Sequence, residues 1–231
     1  MVDSPGRMLN CLPKYSLPRQ DCQLARSYAS PLRTAQAAET RRRILDAAAS
    51  RFAADGYTGA SLGQIAADAG VSLETVKLNG PKSALLLGAF DQAFTGAEGP
   101  GAIHEREIGA ELMAVPDAQL VAGFITFVSG ANIRISRLWP SLLAAASADA
   151  AVADALAALQ QRRRSDFAVA VAVFRERGLL HRDAPDAELA AALSFLVSPE
   201  SYTQLVLEYG WTEDAYRAWL LDAVDRLILT P

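Results

Sequence analysis

Only two of the 231 residues are cysteines, Cys11 and Cys22, and only two are histidines, His104 and His181. Two thiols confined to one end give neither a disulfide framework nor the repeated ligand spacing of a zinc site, so no metal or other cofactor is expected. Long apolar runs are missing as well. The longest uncharged apolar stretch, residues 120–133, falls short of the roughly 18 residues that cross a bilayer. The first 30 residues contain no continuous apolar segment, which argues against a secretory signal. The expectation is a cytoplasmic protein with no membrane partner. Landmarks of catalysis are equally scarce: HExxH, CxxC and GxxxxGK[ST] do not occur. His104 falls in a polar stretch and His181 in a charged turn, so both read as surface residues. Glu105 and Glu107 point to opposite sides of a helix and cannot share a proton or a metal. No enzymatic activity is expected.

What is present is apolar and helical. Hydrophobic residues make up 51% of the chain and charged residues 21%, too much of the first and too little of the second for a disordered protein. The net charge of -4 hides an asymmetry. Residues 1–82 carry 11 basic and 7 acidic side chains (+4), and residues 83–231 carry 11 and 19 (-8). A basic front on an acidic body suits a polyanion at the front, although an ordinary fluctuation of surface charge gives the same sum.

Residues 1–33 contain Pro5, Pro13, Pro18 and Pro31 and hold no period, so they read as a disordered basic extension. From Thr34 the pattern turns helical. Ile44, Leu45, Ala48 and Phe52 form one stripe, Arg41, Arg42 and Arg43 stand at its entrance, and Asp55-Gly56 is a stop. Ser61 and Gln64 form a capping box for a short second helix, which Gly70 ends. Ser72 caps a third, with Leu73 and Val76 on its inner side. Pro81 opens a fourth. The stretch 96–101 is a flexible joint. Beyond it, helices are expected at 117–135, 140–147, 149–177, 185–197, 199–209 and 213–229. The strand-like alternation of residues 167–174 lies inside one of these with no turn signal, so helix prevails on length. The fold class is all-α: a front domain at 34–82 and a larger helical domain at 83–231.

Two short helices joined by a tight glycine turn form a helix-turn-helix, which places its second helix in the major groove of DNA. Ala66 supplies the small residue at the crossing, Ile65 and Val76 fill it, and Val71 closes the turn. Glu74, Thr75, Lys77 and Asn79 lie on the exposed side and are of groove-reading types. A plain helical hairpin has the same spacing.

The stretch TRRRILDAAASRFAADGYTGASLGQIAADAGVSLETVKLNGPKSALLLGAF resembles the N-terminal domain of the TetR/AcrR family of transcriptional regulators. The pieces that carry the likeness are the Arg-rich start, Phe52, Gly56-Tyr57, Ser61, IAADAGVS, Thr75-Val76 and Lys82. The resemblance implies a homodimer on a double-stranded, palindromic DNA operator, commonly as a repressor released by a small-molecule effector. It implies phosphate contacts for Ser61 and Lys82, a backbone or base contact for Thr75, and support from Arg41, Arg42, Arg43, Gln64 and Ser72. The chain departs from the family where aromatic residues usually follow the threonine. Lys77, Asn79 and Gly80 stand there, in a stretch one residue shorter before Lys82.

In the rear, Phe124, Phe127, Arg134, Trp139, Phe167, Val171 and Phe174 lie on helices that would surround an effector cavity, though such a cluster also serves as plain core. Arg134 either meets an acidic ligand group or reaches solvent. Arg162, Arg163 and Arg164 read as a solvated face. Leu189, Leu193, Leu196, Tyr216, Leu220, Val224 and Leu227 form an apolar band wider than one core face needs, which suggests a dimer interface. The alternative is a dimeric ligand-binding or interaction protein with weakened DNA binding.

Overall fold

The computed structural model describes residues 31–99 and 101–231. Cys11, Cys22 and most of the expected extension lie outside the described residues. Helix α1 spans Pro31–Gly59, beginning before Thr34, and loses helical geometry at Gly56 (φ 69, ψ 174) before one last turn. Its stripe of Ile44, Leu45, Ala48 and Phe52 is fully buried. Helix α2, Leu62–Ala69, starts on a reciprocal cap. Ser61 Oγ accepts the Gln64 N–H at 3.2 Å, and Gln64 Oε1 accepts the Ser61 N–H at 2.9 Å. Such a cap is worth about 1 kcal/mol. Gly70 then takes the left-handed conformation (φ 64, ψ 39), which lets the Val71 N–H reach the Ala66 carbonyl at 3.0 Å. Side chains with a Cβ resist that backbone, so glycine decides where α2 stops. Helix α3, Leu73–Leu78, is capped by Ser72, whose Oγ accepts the Thr75 N–H at 3.1 Å.

Helix α4, Lys82–Thr95, buries Leu85, Leu86, Ala89 and Phe90. These join the α1–α3 residues in one hydrophobic cluster. Helix α7, Leu138–Ala146, adds Leu138, Trp139, Leu142 and Ala145 to the same cluster, and helix α8, Ala150–Glu176, adds Val152. The boundary expected between residues 82 and 83 therefore does not divide the packing. Apolar burial crosses it continuously.

A 3-10 turn at Ile103–Glu105 and helix α5, Glu107–Ala114, follow, so Glu105 and Glu107 stand in two elements separated by an extended Arg106 rather than on one helix. Gly109 makes that approach possible, because a Cβ there would sit 2.1 Å from the Ile103 carbonyl oxygen. Helix α6, Asp117–Ile135, has the length and mean hydropathy (1.3) of a membrane-crossing segment. Its buried residues, among them Leu120, Ile125 and Val128, pack inside the bundle. The alternating residues 167–174 are helical within α8. Helix α9 spans Asp186–Leu196, and α10, Pro199–Tyr202, widens into a π-helical turn at Thr203–Glu208. Helix α11, Glu213–Val224, ends likewise at Asp225–Leu229. No strand occurs among the described residues. The all-α expectation holds.

The second cluster corrects the expected dimer band. Leu189, Leu193, Leu196, Tyr216, Leu220 and Val224 are all buried inside one chain, where α9 and α11 pack with α6 and α8. Helical periodicity reports that a face is covered but not which chain covers it. Only Leu227 of that set is exposed (51%).

Candidate nucleic-acid interface and effector cavity

Helices α2 and α3 meet as expected. Ile65 and Val76 are fully buried, Ala66 nearly so, and Val71 packs against them. Burying Val76 turns the opposite side of α3 outward. Ser72, Glu74 and Lys77 are exposed there, and Thr75 is half-buried. Leu73 does not lie inward: it is 43% exposed, and Leu78 at the far end is 81% exposed. Two leucines on an outward helical face can meet thymine methyl groups, a readout that hydrogen-bonding residues cannot supply. Asn79 is the C-cap of α3, and its side-chain amide donates to the Thr75 carbonyl at 2.8 Å, so that donor is already engaged.

The basic entrance is largely engaged as well, which corrects its reading as a free supplement to backbone binding. Arg41 donates to the Asn79 carbonyl at 2.6 Å and pairs with Glu98 at 2.7 Å. Arg43 donates to the carbonyls of Ala69 and Gly70. Arg42 pairs with Glu39 at 2.7 Å and with Asp46 at 3.6 Å. The first and third satisfy carbonyls at the C-terminal ends of α3 and α2, where helices run out of internal donors. Arg51 bridges to Asp68 and so ties α1 to α2. Lys77 remains exposed. Lys82 lies 4.9 Å from the centre of the Tyr57 ring and donates to the Thr58 carbonyl at 3.3 Å. Partial burial lowers its pKa from the ordinary lysine value. Neither lysine has a carboxylate partner among the described residues.

Residues 59–63, GASLG, match the letters of a GxSxG string. Its serine is Ser61, which caps a helix in an all-helical domain and lacks the strand-to-helix elbow that exposes such a nucleophile.

Behind this domain a cavity of about 110 Å³ opens between α4, α5, α6, α7 and α8. Of the expected effector residues, Phe124, Phe127, Trp139 and Phe167 line it. Val171 and Phe174 are buried in the second cluster instead. Arg134 turns away. Its Nε donates to the Ala93 carbonyl at 2.6 Å and its Nη2 to the Phe94 carbonyl at 2.7 Å, closing the last turn of α4. That arginine is therefore a helix cap rather than a ligand group. Burial lowers its pKa from the ordinary arginine value.

Residues the sequence reading assigned elsewhere complete the cavity. Phe90 and Phe94 enter from α4. His104 lines it too, with Nδ1 2.7 Å from Asp166 Oδ1, instead of standing on the surface. The lining includes no serine or cysteine among the described residues; its one hydroxyl side chain, Thr95, accepts from Arg106 and donates to the Asp91 and Ala97 carbonyls. Arg163 corrects the solvated-face reading of its triplet. It turns inward, donates to the Ser194 carbonyl at 2.7 Å and lies 5.3 Å from the Phe167 ring centre. Its signal was its place on the α8 stripe of Leu159, Phe167 and Ala170.

The cavity and the helix-turn-helix domain share structure. Phe90 and Phe94 of α4 line the cavity, while Lys82 opens the same helix. Ser141 of α7 donates to the Phe52 carbonyl at 2.7 Å.

No protein-family model matches this sequence, and no curated protein matches it. Solved structures do share its fold. A Saccharomonospora viridis protein assigned as a transcriptional regulator, in complex with choline, is similar at TM-score 0.65 and 22% identity, over 84% of this chain and 99% of that one. A Rhodococcus protein assigned to the TetR family aligns at TM-score 0.63 and 23% identity, over 82% and 98%. NalD of Pseudomonas aeruginosa, the secondary repressor of the MexAB-OprM multidrug efflux pump, aligns at TM-score 0.58 and 18% identity, over 84% and 98%. The fold is that of the TetR-family regulators.

Proposed function

We propose that this chain is a cytoplasmic, ligand-responsive transcriptional regulator of the TetR/AcrR type that binds a palindromic operator as a homodimer and is released by a small molecule. The observation that carries the reading is the outward face of α3. A short helix set by a glycine turn presents Ser72, Leu73, Glu74, Lys77 and Leu78 to solvent. Ser61 and Lys82, at the starts of α2 and α4, add candidate phosphate contacts. Repression is the mode of NalD, and the choline of the Saccharomonospora viridis relative supports an effector for this chain as well.

Dimerisation would use side chains that the chain leaves exposed, such as Phe195 (77%) and Leu227, rather than the buried leucines of α9 and α11. Two copies supply the symmetry that a palindrome requires. The test is a gel-shift titration with the protein's own promoter fragment, paired with light scattering. A shift at low salt that is lost at higher salt, from a particle of twice the chain mass, is expected. A dimer that leaves the fragment unshifted would instead favour a dimeric ligand-binding or interaction protein with weakened DNA binding, and a monomer would overturn the homodimer.

A further inference from the structure

At about 110 Å³ the cavity is of the order of the ~150 Å³ void that holds a benzene ring, so its occupant has an apolar body no larger than one ring or a few carbons. Its wall is mostly apolar and includes six Phe and Trp rings, and the charged groups set among those rings decide what else the occupant needs. Two carboxylates are present, and both already accept hydrogen bonds. Asp91 Oδ1 accepts Arg106 Nη1 at 3.0 Å and its Oδ2 accepts the Gly99 N–H at 2.6 Å. Asp166 Oδ1 accepts the His104 N–H at 2.9 Å and lies 2.7 Å from its Nδ1. Arg106 is used up in the same way, by Asp91, Thr95 Oγ1 and the Ala97 carbonyl.

Arg163 differs. Its guanidinium donates one hydrogen bond, from Nη2 to Ser194, and forms no ion pair among the described residues. Glu200 is close enough for its field to act on Arg163, but it makes no ion pair there and instead accepts the Trp139 indole N–H at 2.9 Å. No fully buried side-chain nitrogen or oxygen is left without a partner among the described residues, so Nε and Nη1 of Arg163 are open to an incoming group. Burial lowers the Arg163 pKa, yet a guanidinium stays charged. A desolvated, unpaired cation gains most from a bidentate anion.

We propose that the effector is a small apolar carboxylic acid, with an aryl or short-alkyl body among the aromatic rings and its carboxylate on Arg163. The proposal rests on the effector-binding reading above. A cation such as choline could stack on the same rings. In this chain it would meet Arg163, with Asp91 paired to Arg106 and one oxygen of Asp166 already engaged by His104.

The probes are benzoate, its neutral near-isostere benzamide, and the cations benzylammonium and choline, titrated calorimetrically into the full-length protein. Benzoate is expected to bind at least about tenfold more tightly than benzamide, as a charge-assisted pair should, and the cations not at all. Arg163→Gln and Arg163→Met should erase the preference by weakening benzoate while leaving benzamide within about twofold; Arg163→Lys should keep part of it. The wild-type comparison stands even if a variant fails to fold. Equal binding of benzoate and benzamide, binding of a cation in place of benzoate, no binding of any probe, or a preference that survives Arg163→Gln would overturn the proposal. A protein that shifts DNA but shows no acid preference sinks the cavity assignment alone. One that prefers benzoate but never shifts DNA sinks the regulator reading alone.

Discussion

The Tyr57 hydroxyl donates a 3.0 Å hydrogen bond to Oδ2 of Asp149, a residue 92 positions further along the chain. Asp149 also caps α8 by accepting the Ala151 N–H at 3.0 Å, and α8 carries Arg163, Asp166 and Phe167 to the cavity. The Tyr57 ring in turn supports the Lys82 ammonium. Two side-chain contacts thus connect the cavity's longest helix to a candidate phosphate contact. A displacement of α8 has a material route to the DNA-facing domain, and both ends of that route can be biased by a ligand.

Tyr57→Phe isolates the bond without emptying the ring's site. Urea denaturation should show a loss of about 1 kcal/mol. Asp149→Ala should lose more, because it removes the helix cap as well. If Tyr57→Phe leaves stability and effector-driven release of DNA unchanged, the Tyr57 contact carries no coupling.

Lys77→Ala and Lys82→Ala should each weaken DNA binding and flatten its salt dependence by about 0.9 in the log–log slope, the share of one phosphate. Lys82 is the sterner case, since it also packs on Tyr57. Unchanged slopes in gel-shift titrations from low to physiological salt would remove both from the interface.

Arg134→Met should destabilise the fold by about 1–3 kcal/mol, because two carbonyls at the end of α4 lose a charged donor. Benzoate affinity should be unaffected. A large drop in affinity with normal stability would return Arg134 to the ligand site.

Gly70→Ala should cost about 1–2 kcal/mol. Space is not the reason, because an added Cβ would meet only Arg43 Nη2, at 3.4 Å. The left-handed backbone is. Thermal melts compared with an alanine placed elsewhere on the surface would separate the two causes.

Burial raises the pKa of Tyr216, and also those of Tyr202 and Tyr57, above the ordinary tyrosine value. A raised folded pKa means that the contribution is complete below about pH 10, where the unfolded chain begins to ionise, and is lost as pH rises through the folded values. Absorbance at the phenolate band should therefore rise together with loss of helical circular dichroism. Tyrosines that ionise while the helices stay intact would contradict this.

Much of the fold is written in short-range chemistry. The Ser61–Gln64 box, the Gly70 stop, the Ser72 cap and the residues 117–135 helix depend on neighbours within a few positions, so they can be read directly. The bounds of α5 are not legible in the sequence, because its packing rests on Gly109 touching a carbonyl, and that contact leaves no period in the chain. The helix-turn-helix was equally local, and its crossing residues lie where the spacing places them.

The destinations of long side chains are a different matter. A run such as Arg162–Arg163–Arg164 looks uniform, and a run such as Arg41–Arg42–Arg43 looks like one basic patch. Each member leaves the helix about 100° from the last, so packing assigns one to a cavity, another to a helix end and a third to solvent. The same holds for leucine stripes, whose burial is foreseeable but whose covering partner is not. Local periodicity and capping were enough to place the helices and the DNA-reading motif. Which arginine turns into the cavity, and which apolar residues stay exposed, is decided only when the helices come together, because those outcomes depend on atoms that are distant along the chain.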